Sequence, residues 1–178
     1  MHGGFRVAAA LIGGAAVSAA FAVETPEALR APAGQVLAVA LAAKGVQVYE
    51  CAAADAGKYA WKFKGPTAEL FDANGRAAGK HYGGPTWEAP DGGKVVGEAR
   101  ASAPSSDAGS IPQLLLNAKS SPDSGVFARV RTVQRLETHG GSAPTRGCDA
   151  TKVSEVARVP YTATYLFYSE PAAPKTAY

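Results

Sequence analysis

The stretch "RVPYTATYLFYSE", residues 158–170, decides the fold. Tyr161, Ala163, Tyr165 and Phe167 fall on one side of an extended chain, and Thr162, Thr164, Leu166 and Tyr168 fall on the other. Successive side chains of a strand point to opposite faces. Aromatic and β-branched residues on both faces therefore predict a strand covered on both sides. Pro160 has no N–H for a ladder, so it belongs at the start of the strand or on an edge.

The same two-residue period runs upstream. In "GVFARVRTVQRLETHGG" (125–141), Val126, Ala128, Val130 and Thr132 share one face. Phe127, Arg129, Arg131, Val133 and Arg135 share the other. In "GVQVYEC" (45–51), Val46, Val48 and Glu50 alternate with Gln47, Tyr49 and Cys51. In "YAWKFKG" (59–65), Tyr59, Trp61 and Phe63 line up against Lys62 and Lys64, and three aromatics on one side read as core. Lys44-Gly45, Asn74-Gly75 and Asp91-Gly92-Gly93 read as turns. "IPQLLLNAKSSPDSG" (111–125) fits a short buried helix or a strand equally, because periodicity does not separate them. The sum is roughly seven to nine strands with little helix. That predicts an all-β, single-domain β-sandwich or barrel-like antiparallel fold.

The chain begins differently. "VAAALIGGAAVSAA" (7–20) is an uncharged apolar run after Arg6, and Ala20-Phe21-Ala22 matches the small-x-small cleavage rule. Residues 1–22 are expected to be a signal peptide, cleaved before Val23, and the protein to be secreted or periplasmic. Residues 23–34 read as a flexible lead-in, 35–170 as the β domain and 171–178 as a loose tail. No second apolar run is long enough to cross a bilayer. There are 18 Lys and Arg against 15 Asp and Glu; losing Arg6 leaves 17 against 15. So balanced a charge gives no reason to expect nucleic acid as a partner.

Two cysteines remain in an exported chain, Cys51 and Cys148, and an even count points to a disulfide. Loop closure over such a separation is worth about 4–5 kcal/mol in the chain-entropy model. The alternative, two thiolate metal ligands, lacks a CxxC or a nearby histidine at zinc spacing.

Six ordered blocks then resemble a known family. They are "GVQVYEC", "W.F.GP.A.L.D..G", "GKHYGGPTWE..DG", "IP.LLL.A", "G.F..V..VQR..T.GG.AP...CD" and "VPYTATYLFY". Together they resemble the domain-of-unknown-function family 3455 over about residues 34–170, with Gln113 where that pattern has tryptophan. The resemblance implies secretion and a single-domain fold, and it supplies no catalytic residue. Some relatives carry a malate dehydrogenase label, but no GxGxxG opens a strand-turn-helix unit here.

Candidate chemistry gathers around "KHYGGPTWEAPDGGK" (80–94). His81 and His139 each precede a glycine pair and then a proline. A shared pocket of His81, Tyr82, Trp87, Glu88 and His139 is one reading. His81 and His139 as copper or zinc ligands, completed by water or by a carboxylate from Glu88, Asp91 or Asp149, is another. The plainer reading makes each histidine a loop residue and Trp87 a core anchor, rather than a platform for a sugar. Glu88 and Asp91 as a glycosidase-like pair have no fixed separation. Arg129, Arg131 and Arg135 read as an anion-binding face or as a solvated one. No GxSxG is present, and bonded cysteines leave no thiol nucleophile. These residues favour a non-catalytic binding protein for a carbohydrate or small polar ligand. A metalloprotein and a structural envelope protein are the alternatives.

Overall fold

A computed structural model describes residues 25–120 and 125–171. The expected signal peptide (1–22) lies outside the described residues, as does all of the expected tail except Pro171. Eight strands are described: β1 (Val36–Ala53), β2 (Tyr59–Phe71), β3 (Ala77–Tyr82), β4 (Thr86–Glu88), β5 (Lys94–Ala103), β6 (Gln113–Ser120), β7 (Val130–Gly140) and β8 (Val156–Ser169). Each pairs antiparallel with its neighbour in sequence, and β1 also pairs with β8. The result is a closed up-and-down barrel. Closure removes the long free edges of an open sheet and leaves only projecting strand ends, such as that of β2, unpaired on one side.

The deciding stretch becomes β8. Tyr161, Ala163, Tyr165 and Phe167 are buried inside the barrel. Pro160 opposes Val46 of β1 and lies just beyond the end of the β7 ladder at Tyr161, so its missing N–H falls on an edge. Opposite them, Val130 and Val133 of β7, Leu41 and Ala43 of β1 and Leu116 of β6 complete the apolar interior.

A second, outer cluster explains the strands that lack clean alternation. A single 3₁₀ turn, Glu27–Leu29, lies against the outside of β5 and β6. Leu29 is fully buried there with Leu115, Leu136 and the half-buried Leu166. The side-chain amide of Gln134 donates to the Leu29 carbonyl at 2.5 Å. The lead-in is thus pinned at Leu29. "LLL" (114–116) is strand, apolar on both faces because Leu114 and Leu116 face the interior while Leu115 faces the docked turn.

The Asn74-Gly75 and Asp91–Gly93 turns form as expected: Gly75 and Gly92 take φ of 74° and 85°, and Asp72 and Asp91 carboxylates cap the turn N–H groups. Lys44-Gly45 is not a turn. β1 runs straight through it, and a Cβ on Gly45 would fall 2.2 Å from the Thr67 carbonyl of β2. The glycine there serves close strand approach. Nor are Tyr59, Trp61 and Phe63 core. β3 pairs with β2 only from Thr67 onward, so residues 59–66 project past their neighbour. Phe63 is 56% exposed, and the Trp61 indole donates to the Arg146 carbonyl.

Cys51 and Cys148 are disulfide-bonded across a sequence separation of 97. The bond ties the end of β1 to the loop between β7 and β8.

Candidate functional site: the barrel cavity

Alternation sorts the "KHYGGPTWE" hairpin. His81 of β3 directly opposes Trp87 of β4, and both point inward. Lys80, Tyr82 and Glu88 point outward, where Glu88 accepts from the Tyr82 hydroxyl at 2.6 Å and pairs with Lys80 and Lys94 at 3.3 and 3.4 Å. Those three donors hold the Glu88 carboxyl below its ordinary value, the Tyr82 hydrogen bond foremost. The expected pocket is therefore divided by the sheet itself, with two of its residues inside and two outside.

Inside, the His81 ring stacks on Trp87 (centroids 4.6 Å apart, 6° between planes) and meets the edge of Tyr165 at 5.1 Å. Its Nδ1 lies 2.8 Å from the Thr86 carbonyl. A carbonyl only accepts, so Nδ1 carries the proton and Nε2 holds a lone pair. Burial pushes His81 down to about 4, and the Arg135 charge adds to the effect against the opposing Thr86 bond. The ring is neutral at physiological pH.

These rings form one wall of a cavity of about 330 Å³. Gln47 and Tyr49 of β1, Pro66, Trp87, Tyr165 and Leu116 bound it, and the exposed Phe63, Ala99 and Pro112 line it toward solvent, at its mouth. The mouth exists because β2 projects beyond β3, leaving that end of the sheet uncovered. An eight-stranded barrel is just wide enough to be filled by side chains or to hold one small ligand. Small residues tip this one toward a cavity. Gly97 on β5 seats the Trp87 indole, 2.9 Å from where a Cβ would be, and Ala99 beyond it leaves space.

Arg135 also lines the cavity. Its Nε and Nη2 both donate to the Pro112 carbonyl, at 3.1 and 2.8 Å, and Nη1 takes no part in that pair. Among the described residues no carboxylate lies within ion-pair distance of Arg135, and the cavity lining contains no Asp or Glu. Three buried polar atoms of lining residues lack hydrogen-bond partners: Gln47 Nε2, Trp87 Nε1 and the Tyr165 hydroxyl. Tyr161, Tyr165 and Arg135 act on one another through the Tyr165 hydroxyl, although no hydrogen bond among the three has ordinary geometry. Burial raises both hydroxyls above the usual tyrosine value, so both keep their protons.

The three arginines do not share a face. Register shifts between Val130 and Thr132, so Val133 and Arg135 point inward while Arg131 points outward to Glu170 at 3.2 Å. Arg129 precedes the strand at φ 61° and donates to the Pro171 carbonyl. A bulge of this kind carries no signal that a period count detects. His139 stands apart from His81: it is exposed at the end of β7, 3.2 Å from Asp107, beside a different, outer groove. Asp91 and Asp149 cap their own turns. Among the described residues no group of three or more His, Cys, Asp or Glu is placed to hold a metal ion.

The architecture and site define a class: a closed eight-stranded antiparallel barrel with an internal cavity, lined by aromatics and one unpaired arginine. The chain belongs to the family described as Protein of unknown function (DUF3455), whose model matches residues 32–169. No curated protein and no solved structure matches it.

Proposed function

We propose that this protein is an exported binding protein that holds one small ligand inside the barrel. The cavity carries the reading: a largely apolar chamber of about 330 Å³, with a few convergent polar groups, is the form small-molecule sites take. Gln47, Lys64, His81 and Arg135 supply the polar groups of its lining. The apolar residues face inward and ion pairs such as Lys80–Glu88–Lys94 face outward. That is the reverse of a barrel standing in lipid, and it supports export into water, through the expected signal peptide.

The test uses a neutral apolar dye, N-phenyl-1-naphthylamine, and the variant Ala99→Trp. Wild type should enhance the dye's emission, saturating at one dye per chain. Ala99→Trp, which fills the cavity from an open position, should abolish the enhancement without lowering the melting temperature. No enhancement in wild type, or an equal enhancement in the variant, defeats the proposal.

A further inference from the structure

We propose that the ligand is a small monocarboxylate on a flat apolar body, its carboxylate received by Arg135. The inference rests on the cavity reading above and adds the chemistry of the occupant. A guanidinium is always charged, and it is normally found with a carboxylate or phosphate in its fork. Arg135 has neither among the described residues; it donates to one neutral carbonyl, that of Pro112, and lies beside the neutral Tyr165 hydroxyl. A second cation, Lys64, stands at the mouth, and its partner Glu50, 3.6 Å away, is not part of the cavity lining. Glu50 offsets Lys64 from outside the lining, so Arg135 is the charge that sets the sign of the chamber.

The unpartnered groups agree with that sign. Trp87 Nε1 and Gln47 Nε2 are donors set behind the cavity wall, so they add to that sign without touching the occupant. A carboxylate only accepts. His81, neutral, adds no competing cation. The charge of Arg135 is felt along the whole wall, since it bears on Tyr49, His81, Tyr161 and Tyr165. The body of the ligand follows from the other walls. A cavity of about 150 Å³ suffices for benzene. A chamber of about 330 Å³ lined by Trp87, Tyr165, Leu116 and prolines therefore suits one or two fused rings.

The experiment compares 2-naphthoate with its neutral twin, 2-naphthamide, by isothermal titration calorimetry at neutral pH. Naphthoate should bind at least tenfold more tightly. Arg135→Gln should reduce naphthoate to the level of naphthamide and leave naphthamide unchanged, while Arg135→Lys should keep part of the preference. If the two probes bind wild type equally, the carboxylate assignment is overturned, and the cavity reading stands as long as the neutral dye still binds. If neither probe nor the dye binds, both readings fall. Near-ultraviolet circular dichroism checks the variants' folding; should Arg135→Gln unfold, the wild-type ratio decides alone.

Discussion

His81 shows how much a single position owes to its place in the pleat. The sequence suggests a loop histidine or a metal ligand. The alternation Lys80–His81–Tyr82 contains the better answer, because the flanking polar residues must face water and so send the imidazole inward. Its neutrality sets a pH dependence. The unfolded chain's imidazole takes a proton near 6.5 and the folded one only near 4. The unfolded state thus binds more protons in between, and stability is present in full above about pH 6.5 and falls as pH drops toward 4. The loss approaches about 3 kcal/mol at the lower limit. Asp72, Glu88, Asp107 and Asp149, held below their ordinary values by hydrogen bonds, lose their contribution only in a lower window. His81→Phe, which keeps a ring against Trp87, should flatten urea-unfolding stability between pH 6.5 and 4.5. An unchanged slope would show that His81 is not the group responsible. Gly97 makes a second case at this scale. No turn signal surrounds it, and only the Trp87 indole 2.9 Å from its missing Cβ explains it. Gly97→Ala should cost about 1–3 kcal/mol in chemical denaturation by displacing that indole.

At the scale of elements, the strands with clean alternation were legible and the exceptions have physical causes. β8 reads correctly as a strand with Tyr161, Ala163, Tyr165 and Phe167 buried, but its outer face, with Thr162 exposed and Thr164, Leu166 and Tyr168 half-buried, is not covered as expected. β6 is ambiguous in sequence because the docked turn at Glu27–Leu29 buries its second face, and a contact between residues so far apart leaves no local period. β1 reads as a hairpin at Lys44-Gly45 because a glycine required for close strand approach looks like one required for a turn. Arg129, Arg131 and Arg135 read as one face because a bulge erases the period between Val130 and Thr132. The docked turn is testable. Leu29→Ala should destabilise the protein by about 2–5 kcal/mol, as other buried leucines do, and should raise amide exchange in β6. A change within about 0.5 kcal/mol, the range of ordinary surface substitutions, would mean that the turn does not pack against the barrel.

For the whole molecule, the cysteine count and the expected export of the chain were enough to expect one long-range bond. Cys51→Ala should lower stability by about 4 kcal/mol, since the bond restrains a long loop of the unfolded chain. Guanidinium unfolding of oxidised and variant protein measures it directly. The cavity was not legible. It depends on β2 outrunning β3, on Gly97 and Ala99 leaving space, and on a bulge turning Arg135 inward, none of which a strand period reports. The most direct test of the barrel as a binding chamber uses the chain's two tryptophans. Trp87 Nε1 is buried at the cavity wall, and Trp61 Nε1 is bonded to Arg146 outside it. In a proton–nitrogen correlation spectrum titrated with 2-naphthoate, the Trp87 indole peak should move and the Trp61 peak should stay. A titration that shifts only Trp61, or neither, contradicts the account.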